Sequence, residues 1–257
     1  MTDNPAIVFD DAAAEFADYM AAPWGRLRAE MIVRQLAAHL DEPPLRVLDA
    51  GCGPGAMVAR FAELGHHVTG VDFAATMLDQ ARRAVPESVE LVRGDVLALD
   101  AALPGATFDL VLCHCVLEYL ADDAPAALHQ LGRVLAPGGL VSLLISNPDA
   151  RVLKTAVVNR APADALASFT RQTQPNRVFR ARTRDYRPGD LMPAFAAAGL
   201  SPVQTYGVRA FWDLLPRDGR PVSESFFAEM LTLEMEMSTV SPFREIANYS
   251  HVVLRRA

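Results

Sequence analysis

The chain has 257 residues, 51% of them hydrophobic and 21% charged, a balance that suits a single globular domain over residues 1–257 with a substantial core. A formal net charge of −7 argues weakly against a nucleic-acid partner, and the sequence shows neither an apolar run of about 18 residues nor a signal-peptide pattern. We therefore expect a cytoplasmic protein without a membrane segment. The triplet Cys113-His114-Cys115 lacks the second pair of ligands that a zinc site needs, so we expect no bound metal.

The first part of the chain alternates between helical and extended patterns. Apolar residues at helical spacing predict a helix from about Ala12 to Leu40, which would form an N-terminal helical cap over residues 1–40. Apolar runs and turn residues then predict strand, helix, strand, helix and strand, at Leu45–Leu48, Ala56–Leu64, His67–Val71, Ala74–Val85 and Val89–Val92. Such alternation is typical of a parallel sheet with helices on both faces.

The alternation continues to Ile145 and then breaks. A strand, a helix and a strand are predicted at Phe108–Cys113, Pro125–Leu135 and Leu140–Ile145. Residues 147–187 show only weak periodicity, and we interpret them as an insertion on the substrate side. The remaining elements are predicted as helix, strand, helix and strand, at Pro188–Ala198, Val203–Phe211, Ser223–Met237 and Tyr249–Leu254.

A glycine-rich turn lies between the first predicted strand and the helix that follows it. The turn reads Asp49-x-Gly51-x-Gly53-x-Gly55, and glycine there lets the backbone approach a ligand where a Cβ would clash. The helix after the turn offers unpaired backbone N–H groups to the same ligand. This G-x-G-x-G spacing, led by an acid, differs from the G-x-G-x-x-G spacing typical of dinucleotide sites.

Acidic residues follow the next two strands as well. Asp72 lies after the second strand, about 20 residues past the glycines, where a carboxylate accepts both hydroxyls of a ribose. Asp95 follows the third strand. Because the carboxyl ends of parallel strands meet at one edge of a sheet, we expect these acids and Asp49 to line one crevice. A doubly wound domain with incidental glycines and a nicotinamide site are the alternatives.

These motifs resemble those of class I S-adenosylmethionine (SAM)-dependent methyltransferases, whose further landmarks follow in the same order: Phe108-Asp109-Leu-Val-Leu, His114 and Leu135-x-Pro-Gly-Gly139. The resemblance implies an α/β, Rossmann-like class I methyltransferase fold. That fold is a mostly parallel seven-stranded sheet with helices on both faces, here with an N-terminal helical lid and an insertion after strand 5. The resemblance also implies S-adenosyl-L-methionine as the cofactor and methyl transfer as the reaction.

The chain resembles one family more closely, the tRNA 5-carboxymethoxyuridine methyltransferases, which convert the carboxylate of a modified wobble uridine to its methyl ester. The matching motifs run from the N-terminal helix to the last strand: Gly25-x-Leu27-Arg28, Gly65-His66-x-Val68, His114-x-Val116-Leu117-Glu118-Tyr119, Asp185-Tyr186, Gly207-Val208-Arg209-x-Phe211-x-Asp213, Leu233-Glu234 and Tyr249-x-His251-Val252. By this resemblance the cofactor contacts fall on Arg28, Gly51, Cys52, Asp72, Asp95, Val96 and His114, and the glycine motif adds Asp49 and Gly53. A guanidinium such as that of Arg28 is suited to grip the α-carboxylate of SAM with two hydrogen bonds.

Two residues of the later motifs are the candidates for binding the acceptor. Arg209 is the first candidate to hold a carboxylate, and Tyr249 is the second, as a hydroxyl donor. A carboxylate is already ionised at neutral pH, so no general base is needed and no catalytic residue is assigned. For a phenol or an amine a base would help, and His114 or Glu118 would then come first, although a structural role is favoured for Glu118.

Charge is distributed unevenly along the sequence. Between Arg151 and Arg187 lie nine basic residues and two acidic ones, so that this segment carries +7 and the rest of the chain −14. A local basic patch is compatible with tRNA phosphates, and a solvated loop is the alternative interpretation. Three hypotheses stay open: a tRNA carboxyl methyltransferase, a small-molecule O- or N-methyltransferase of a biosynthetic pathway, and a SAM-binding protein that does not methylate.

Overall fold

The computed structural model describes residues 14–40, 44–169, 173–175, 182–216 and 221–257. The strands in these residues are β1 (Arg46–Ala50), β2 (His67–Asp72), β3 (Glu90–Arg93), β4 (Phe108–His114), β5 (Leu135–Ser146), β6 (Thr173–Pro175), β7 (Arg182–Arg184), β8 (Leu200–Val208) and β9 (Tyr249–Arg256). One sheet has the order β3-β2-β1-β4-β5-β9-β8, and β6 pairs with β7 apart from it. Strands β1 to β5 run parallel, and β9 is antiparallel to both β5 and β8. The predicted mostly parallel seven-stranded sheet is confirmed.

Helices cover both faces of the sheet. They are α1 (14–21), α2 (Pro23–Ala37), α3 (Ala56–Glu63), α4 (Ala75–Ala84), α5 (Leu99–Ala102), α6 (Ala124–Val134), α7 (Pro148–Val157), α8 (Pro162–Phe169), α9 (Met192–Ala197), α10 (Glu224–Met237) and α11 (Phe243–Ile246). One core contains buried side chains of α2, α3 and α10, and the other contains those of α5, α6 and α9. None of the helices in the described part of the chain combines the length and the apolar character needed to cross a membrane.

The N-terminal helical region consists of two helices rather than one. The helix breaks at residue 22, and in the first turn of α2 the Gly25 N–H donates to the carbonyl of Ala22 at 2.9 Å. A Cβ on Gly25 would lie 2.1 Å from the carbonyl oxygen of Met20, so only glycine lets the end of α1 approach α2 this closely. This arrangement places α1 beside the glycine-rich turn, where the ring of Phe16 lies 3.5 Å from the position that a Cβ on Gly53 would take.

Two strand predictions differ from the structure at their ends. Strand β5 begins at Leu135 instead of Leu140, because its first residues already pair with Phe108 of β4. Strand β8 begins at Leu200 and ends at Val208, whereas it was predicted at 203–211. Its end is set by Arg209, whose positive φ of 63° is a left-handed conformation that turns the chain out of the sheet.

The insertion predicted at 147–187 contains more regular structure than its weak periodicity indicates. Helix α7 begins directly after Asn147, whose side chain accepts a hydrogen bond from the Asp149 N–H at 3.0 Å, with Pro148 in the first helical position. Helix α8 and the pair β6–β7 follow. The predicted helix from Pro188 begins as a 3-10 turn (Pro188–Leu191) that continues into α9. Three basic residues of the insertion, Arg171, Arg177 and Arg180, lie outside the described residues.

Candidate functional site

The glycine-rich turn connects β1 to α3 in a conformation that glycine favours. Gly51, Gly53 and Gly55 have φ values of 81°, 52° and 83°, all in the left-handed region. Asp72, at the end of β2, holds this turn: its Oδ2 accepts the Gly53 N–H at 2.8 Å, and its Oδ1 accepts the Ala74 N–H at 2.9 Å. The Asp72 carboxylate therefore fixes both the turn and the start of the segment that leads into α4.

The third strand end adds Asp95 and Val96 beside Asp72. The N–H of Gly94 donates to the carbonyl of Asp72 at 3.0 Å, which ties the two strand ends together. Asp95 is exposed and its Oδ1 accepts the Leu97 N–H at 2.9 Å, while the next residue, Val96, is buried. The sheet thus brings the three acidic strand ends to one edge, as parallel pairing requires.

A buried arginine and a buried aspartate with unpartnered atoms lie at the same edge. Arg28, on α2, is 6% exposed, its Nη2 lies 2.6 Å from the Met20 sulfur, and its Nε has no hydrogen-bond partner. Asp49, at the end of β1, is also buried, and its Oδ2 has no partner. Burial, and next the charge of Asp72, raise the pKa of Asp49 to about 7, against an opposing effect of Arg28.

Tyr249, the first residue of β9, lies between two guanidinium groups. The Cζ of Arg28 is 5.4 Å and the Cζ of Arg209 is 5.5 Å from the centroid of its ring. Its hydroxyl lies 3.4 Å from the hydroxyl of Tyr19, which α1 brings to the site. Burial raises the pKa of Tyr249, so its phenol stays protonated and available as a donor.

Arg209 is buried and held by an aspartate. Its side chain is 3% exposed, its Nε donates to Asp213 Oδ2 at 2.8 Å, and its Nη1 lies 3.4 Å from the Tyr19 hydroxyl. Lys154 of α7 donates to the other oxygen of Asp213 at 2.9 Å. Burial opposes ionisation of Asp213, but the two cations outweigh it and lower its pKa. Asp213 therefore stays ionised and orients the Arg209 guanidinium.

The turn that carries Arg209 is fixed by Glu234 of α10. This carboxylate is 1% exposed and accepts three successive backbone N–H groups, from Ala210 at 2.6 Å, Phe211 at 3.0 Å and Trp212 at 2.9 Å. The three bonds satisfy backbone donors that leave the sheet at the left-handed Arg209. Glu234 is thus a positioning residue for Arg209.

Glu234→Gln is expected to lower the free energy of unfolding by about 1–3 kcal/mol. In the variant, the amide NH₂ would face a backbone N–H that donates to a buried carboxylate oxygen in the wild-type protein, and that hydrogen bond would be lost. The urea unfolding midpoint measures the effect. Glu236→Gln is the matched control, since Glu236 is exposed on the same helix. Equal midpoints for the two variants would show that the three bonds do not hold the turn.

Glu118 is buried and His114 is half-buried, and these two candidate bases differ in their partners. Burial lowers the pKa of His114 well below its ordinary value, and its Nε2 lies 2.9 Å from Ser142 Oγ. Glu118 accepts the Ser146 N–H at 2.7 Å through Oε1, and burial raises its pKa. This bond ties the residues after β4 to the end of β5, a structural role. Burial also raises the pKa of Cys52, and no group of metal-ligating side chains occurs in the described residues.

Four of the six basic side chains that the structure describes between residues 151 and 187 are paired with carboxylates. The ion pairs within the described residues are Arg151–Asp185, Lys154–Asp213, Arg184–Asp122 and Arg187–Asp149. Two further basic residues, Arg160 and Arg182, have no ion pair among the described residues. Within the described residues, the segment therefore presents two unpaired basic side chains.

The structure brings together the candidates Arg28, Asp49, Arg209 and Tyr249, and it adds residues that the sequence analysis did not assign. Tyr19 and Lys154 are the clearest of these. No motif marked Tyr19, because α1 reaches the site only through the turn at Gly25. Lys154 was counted as part of a basic segment, and only its helical placement after the Asn147-Pro148 start shows that it faces Asp213.

Comparisons with known proteins agree with this architecture. Residues 47–139 match the model of a methyltransferase domain. The chain is 30% identical over 260 residues to the tRNA 5-carboxymethoxyuridine methyltransferase of Escherichia coli, covering 96% of this chain and 95% of the relative. It is 33% identical over 187 residues to a ubiquinone biosynthesis O-methyltransferase of Methylocella silvestris, covering 70% and 68%.

A solved structure shows the same fold. The chain superimposes on the Burkholderia thailandensis 1,6-didemethyltoxoflavin-N1-methyltransferase, crystallised with S-adenosylhomocysteine, with a TM-score of 0.58 at 22% identity, covering 98% of this chain and 88% of the other. The chain therefore belongs to the class I SAM-dependent methyltransferases, in the family that includes the tRNA 5-carboxymethoxyuridine methyltransferase of Escherichia coli. It is an enzyme that uses SAM to transfer a methyl group.

Proposed function

We propose that this methyltransferase acts on a carboxylate, that of 5-carboxymethoxyuridine at the wobble position of a tRNA, and converts it to the methyl ester. The observation that supports this most directly is the buried guanidinium of Arg209, fixed by Asp213 on one side with its Nη1 directed toward Tyr19. A buried cation beside a protonated phenol suits an anionic acceptor. The similarity to the tRNA enzyme over 96% of the chain favours the same acceptor.

The cofactor proposal is carried by the unpartnered atoms of Arg28 and Asp49. SAM has a carboxylate and an ammonium group on one carbon, and a buried guanidinium near a buried carboxylate complements that pair of charges. The further contacts that we propose are Gly51, Cys52 and Gly53 in the turn, Asp72 at the ribose, Asp95 and Val96 at the adenine, and His114 at the end of β4.

The protein contributes binding and orientation to the reaction. When bound, SAM supplies a methyl carbon activated by a positive sulfur, which leaves as a neutral thioether as the acceptor oxygen bonds to that carbon. Arg209 orients the acceptor carboxylate, and the Tyr249 hydroxyl donates a hydrogen bond to it. Helix α1 excludes water from this side of the site. An ionised carboxylate has no proton to lose, so its methylation needs no general base. His114 agrees with such an acceptor, because its lowered pKa makes it a weak base.

The tRNA is proposed to approach across residues 151–187. Lys154 links this segment to Arg209 through Asp213, so the segment forms one side of the acceptor site. The exposed Arg160 and Arg182 have no ion-pair partner among the described residues, and Arg184 and Arg187 have exposed partners that phosphates could replace. Binding through these groups predicts affinity that falls steeply with salt concentration.

Asp72→Asn is expected to lower the affinity for SAM at least about tenfold, or about 1.4 kcal/mol, because the amide cannot accept hydrogen bonds from both the turn and the ribose. Isothermal calorimetry measures the change. Asp79→Asn, on the exposed side of α4, is the control. An unchanged affinity in the Asp72 variant would place the ribose elsewhere.

A small phenol or other small molecule is the second candidate acceptor. The similarity to the ubiquinone biosynthesis O-methyltransferase, over 70% of the chain, favours it. The four ion pairs among the described basic residues of the insertion also suit a small ligand better than a phosphate backbone. Such an acceptor must lose a proton, so its methylation at saturating SAM would depend on pH, whereas that of a carboxylate would not between about pH 6 and 8. Saturating SAM is required because Asp49, with a pKa of about 7, would make SAM binding itself depend on pH in this range.

The deciding experiment supplies the purified protein with labelled SAM and tRNA that carries 5-carboxymethoxyuridine. Mass spectrometry of the nucleosides is expected to show the methyl ester, and unmodified tRNA is the matched control. Absence of label in the tRNA, together with transfer to a small phenol, acid or amine, would move the assignment to the second candidate.

A further inference from the structure

A row of four polar side chains connects α2 to the carboxyl end of β4. Gln35 Oε1 lies 2.7 Å from His251 Nδ1, and His251 Nε2 lies 2.8 Å from Ser142 Oγ. The same Ser142 oxygen lies 2.9 Å from His114 Nε2. Gln35, Ser142 and His251 are at most 2% exposed, and they come from three different elements. Each of these buried contacts needs one donor and one acceptor.

The direction of every hydrogen bond in this row is set at its Gln35 end. Gln35 Nε2 lies 3.3 Å from the carbonyl oxygen of Gly207, which can only accept, so the amide donates there and Oε1 accepts from His251 Nδ1. His251 then has its proton on Nδ1, and its Nε2 accepts from the Ser142 hydroxyl. Ser142 Oγ in turn accepts from His114, which has its proton on Nε2.

Both imidazoles are neutral, as this arrangement requires. Burial lowers the pKa of His251 to about 3 and lowers the pKa of His114 well below its ordinary value. With neither ring charged at physiological pH, each has a single ring proton whose position matters.

We infer that Gln35, His251 and Ser142 are positioning residues that hold His114 as the Nε2–H tautomer, so that its Nδ1 acts as a hydrogen-bond acceptor. Nδ1 has no partner among the described residues, and His114 ends β4 at the edge of the sheet where ligands of this fold bind. The ligand group that meets His114 is therefore a donor, an N–H or an O–H. This inference goes beyond the proposed function, because it holds whichever acceptor is methylated.

The tautomers are read directly from the unliganded wild-type protein. Proteins labelled with ¹⁵N-histidine give two- and three-bond ¹H–¹⁵N correlations that distinguish a protonated from an unprotonated ring nitrogen. We expect Nε2–H at His114 and Nδ1–H at His251, with assignments from single His→Gln variants at the four other histidines. A proton on Nδ1 of His114, or a mixture of its tautomers, would overturn the inference without any change to the site.

A substitution at the far end of the row tests the coupling. In Gln35→Met, His251 is free to carry its proton on either nitrogen. The hydrogen bonds through Ser142 can then point toward His114 or away from it, and we expect His114 to become a mixture of tautomers. Arg34→Met is the matched control, because Arg34 is the exposed neighbour on the same helix. A merely structural role for Gln35 would change the melting temperature but leave the His114 signals as they are in the control, and that outcome would contradict the coupling.

Binding of S-adenosylhomocysteine is the second readout. If half of the Gln35→Met molecules have the His114 proton on Nδ1, the apparent affinity for S-adenosylhomocysteine falls about twofold. The loss of affinity increases with the fraction of His114 Nδ1–H that the spectrum shows. Binding that stays at the control value while the tautomers mix would show that His114 Nδ1 does not contact this ligand, and the donor would then have to belong to the methyl acceptor.

Discussion

Methyl transfer to a carboxylate acceptor is expected to fall at least about thirtyfold when Arg209 is replaced by alanine, because a hydrogen-bonded buried charge pair is worth about 2–5 kcal/mol. The Arg209 guanidinium is 3% exposed and already oriented by Asp213, so little is lost in ordering it when the acceptor binds. The affinity for S-adenosylhomocysteine is expected to stay within about twofold. Initial rates with labelled SAM, and calorimetry with the demethylated product, separate the two effects.

Two further variants separate the loss of the Arg209 side chain from an effect on folding. Arg209→Gly removes the same side chain but fits the φ of 63° without strain, so it separates the lost guanidinium from a strained backbone. Arg46→Ala is the matched control, because Arg46 is an exposed arginine paired with Asp109 at the opposite edge of the sheet. Transfer at the wild-type rate in both Arg209 variants would remove Arg209 from the acceptor site.

Arg28→Met is expected to change two properties in opposite directions. The affinity for SAM should fall by about thirtyfold or more, since a desolvated guanidinium that binds a carboxylate contributes about 2–5 kcal/mol. The unfolding midpoint of the unliganded protein should stay the same or rise. Arg28 is 6% exposed and has no ion pair with a carboxylate among the described residues, so removing it takes away a buried charge that lacks a hydrogen-bonded counter-ion.

Calorimetry and urea unfolding of the unliganded protein measure the two effects of Arg28→Met. Arg26→Met is the control on the same helix, because Arg26 is exposed and paired with Glu224. A variant that loses affinity and stability together would show that Arg28 holds the fold rather than the ligand. Unchanged affinity would place the carboxylate of SAM elsewhere.

The shared position of the proposed cofactor residues at one edge of the sheet was predictable from sequence because its signals are local. Asp49, the three glycines of the turn and Asp72 lie within 24 residues. The spacing of apolar residues, every second residue in a strand and every 3.6 residues in a helix, predicts the strands and helices around them. Parallel pairing then brings Asp49, Asp72 and Asp95 to one edge without further information.

The proposed acceptor side depends on contacts between distant parts of the chain. The Tyr19 and Tyr249 hydroxyls meet across 230 residues, and the Lys154 and Asp213 pair spans 59. The end of β8 was misplaced because a left-handed arginine carries no sequence signal of its own, and the Glu234 carboxylate that accommodates it lies on another helix. The start of α7 could have been predicted, since Asn147-Pro148 is a recognisable cap and first position.

Helix α1 has a consequence for the pace of the catalytic cycle. Its Phe16 ring lies against the glycine-rich turn, its Tyr19 meets Tyr249, and the bare Gly25 allows the close return that puts it there. If the cofactor is held between this helix and the strand ends, we expect the spent thioether to leave after α1 separates from the turn. Turnover would then be limited by the rate at which this short helix opens. A more viscous solvent would slow that opening and delay product release even where the chemical step is fast.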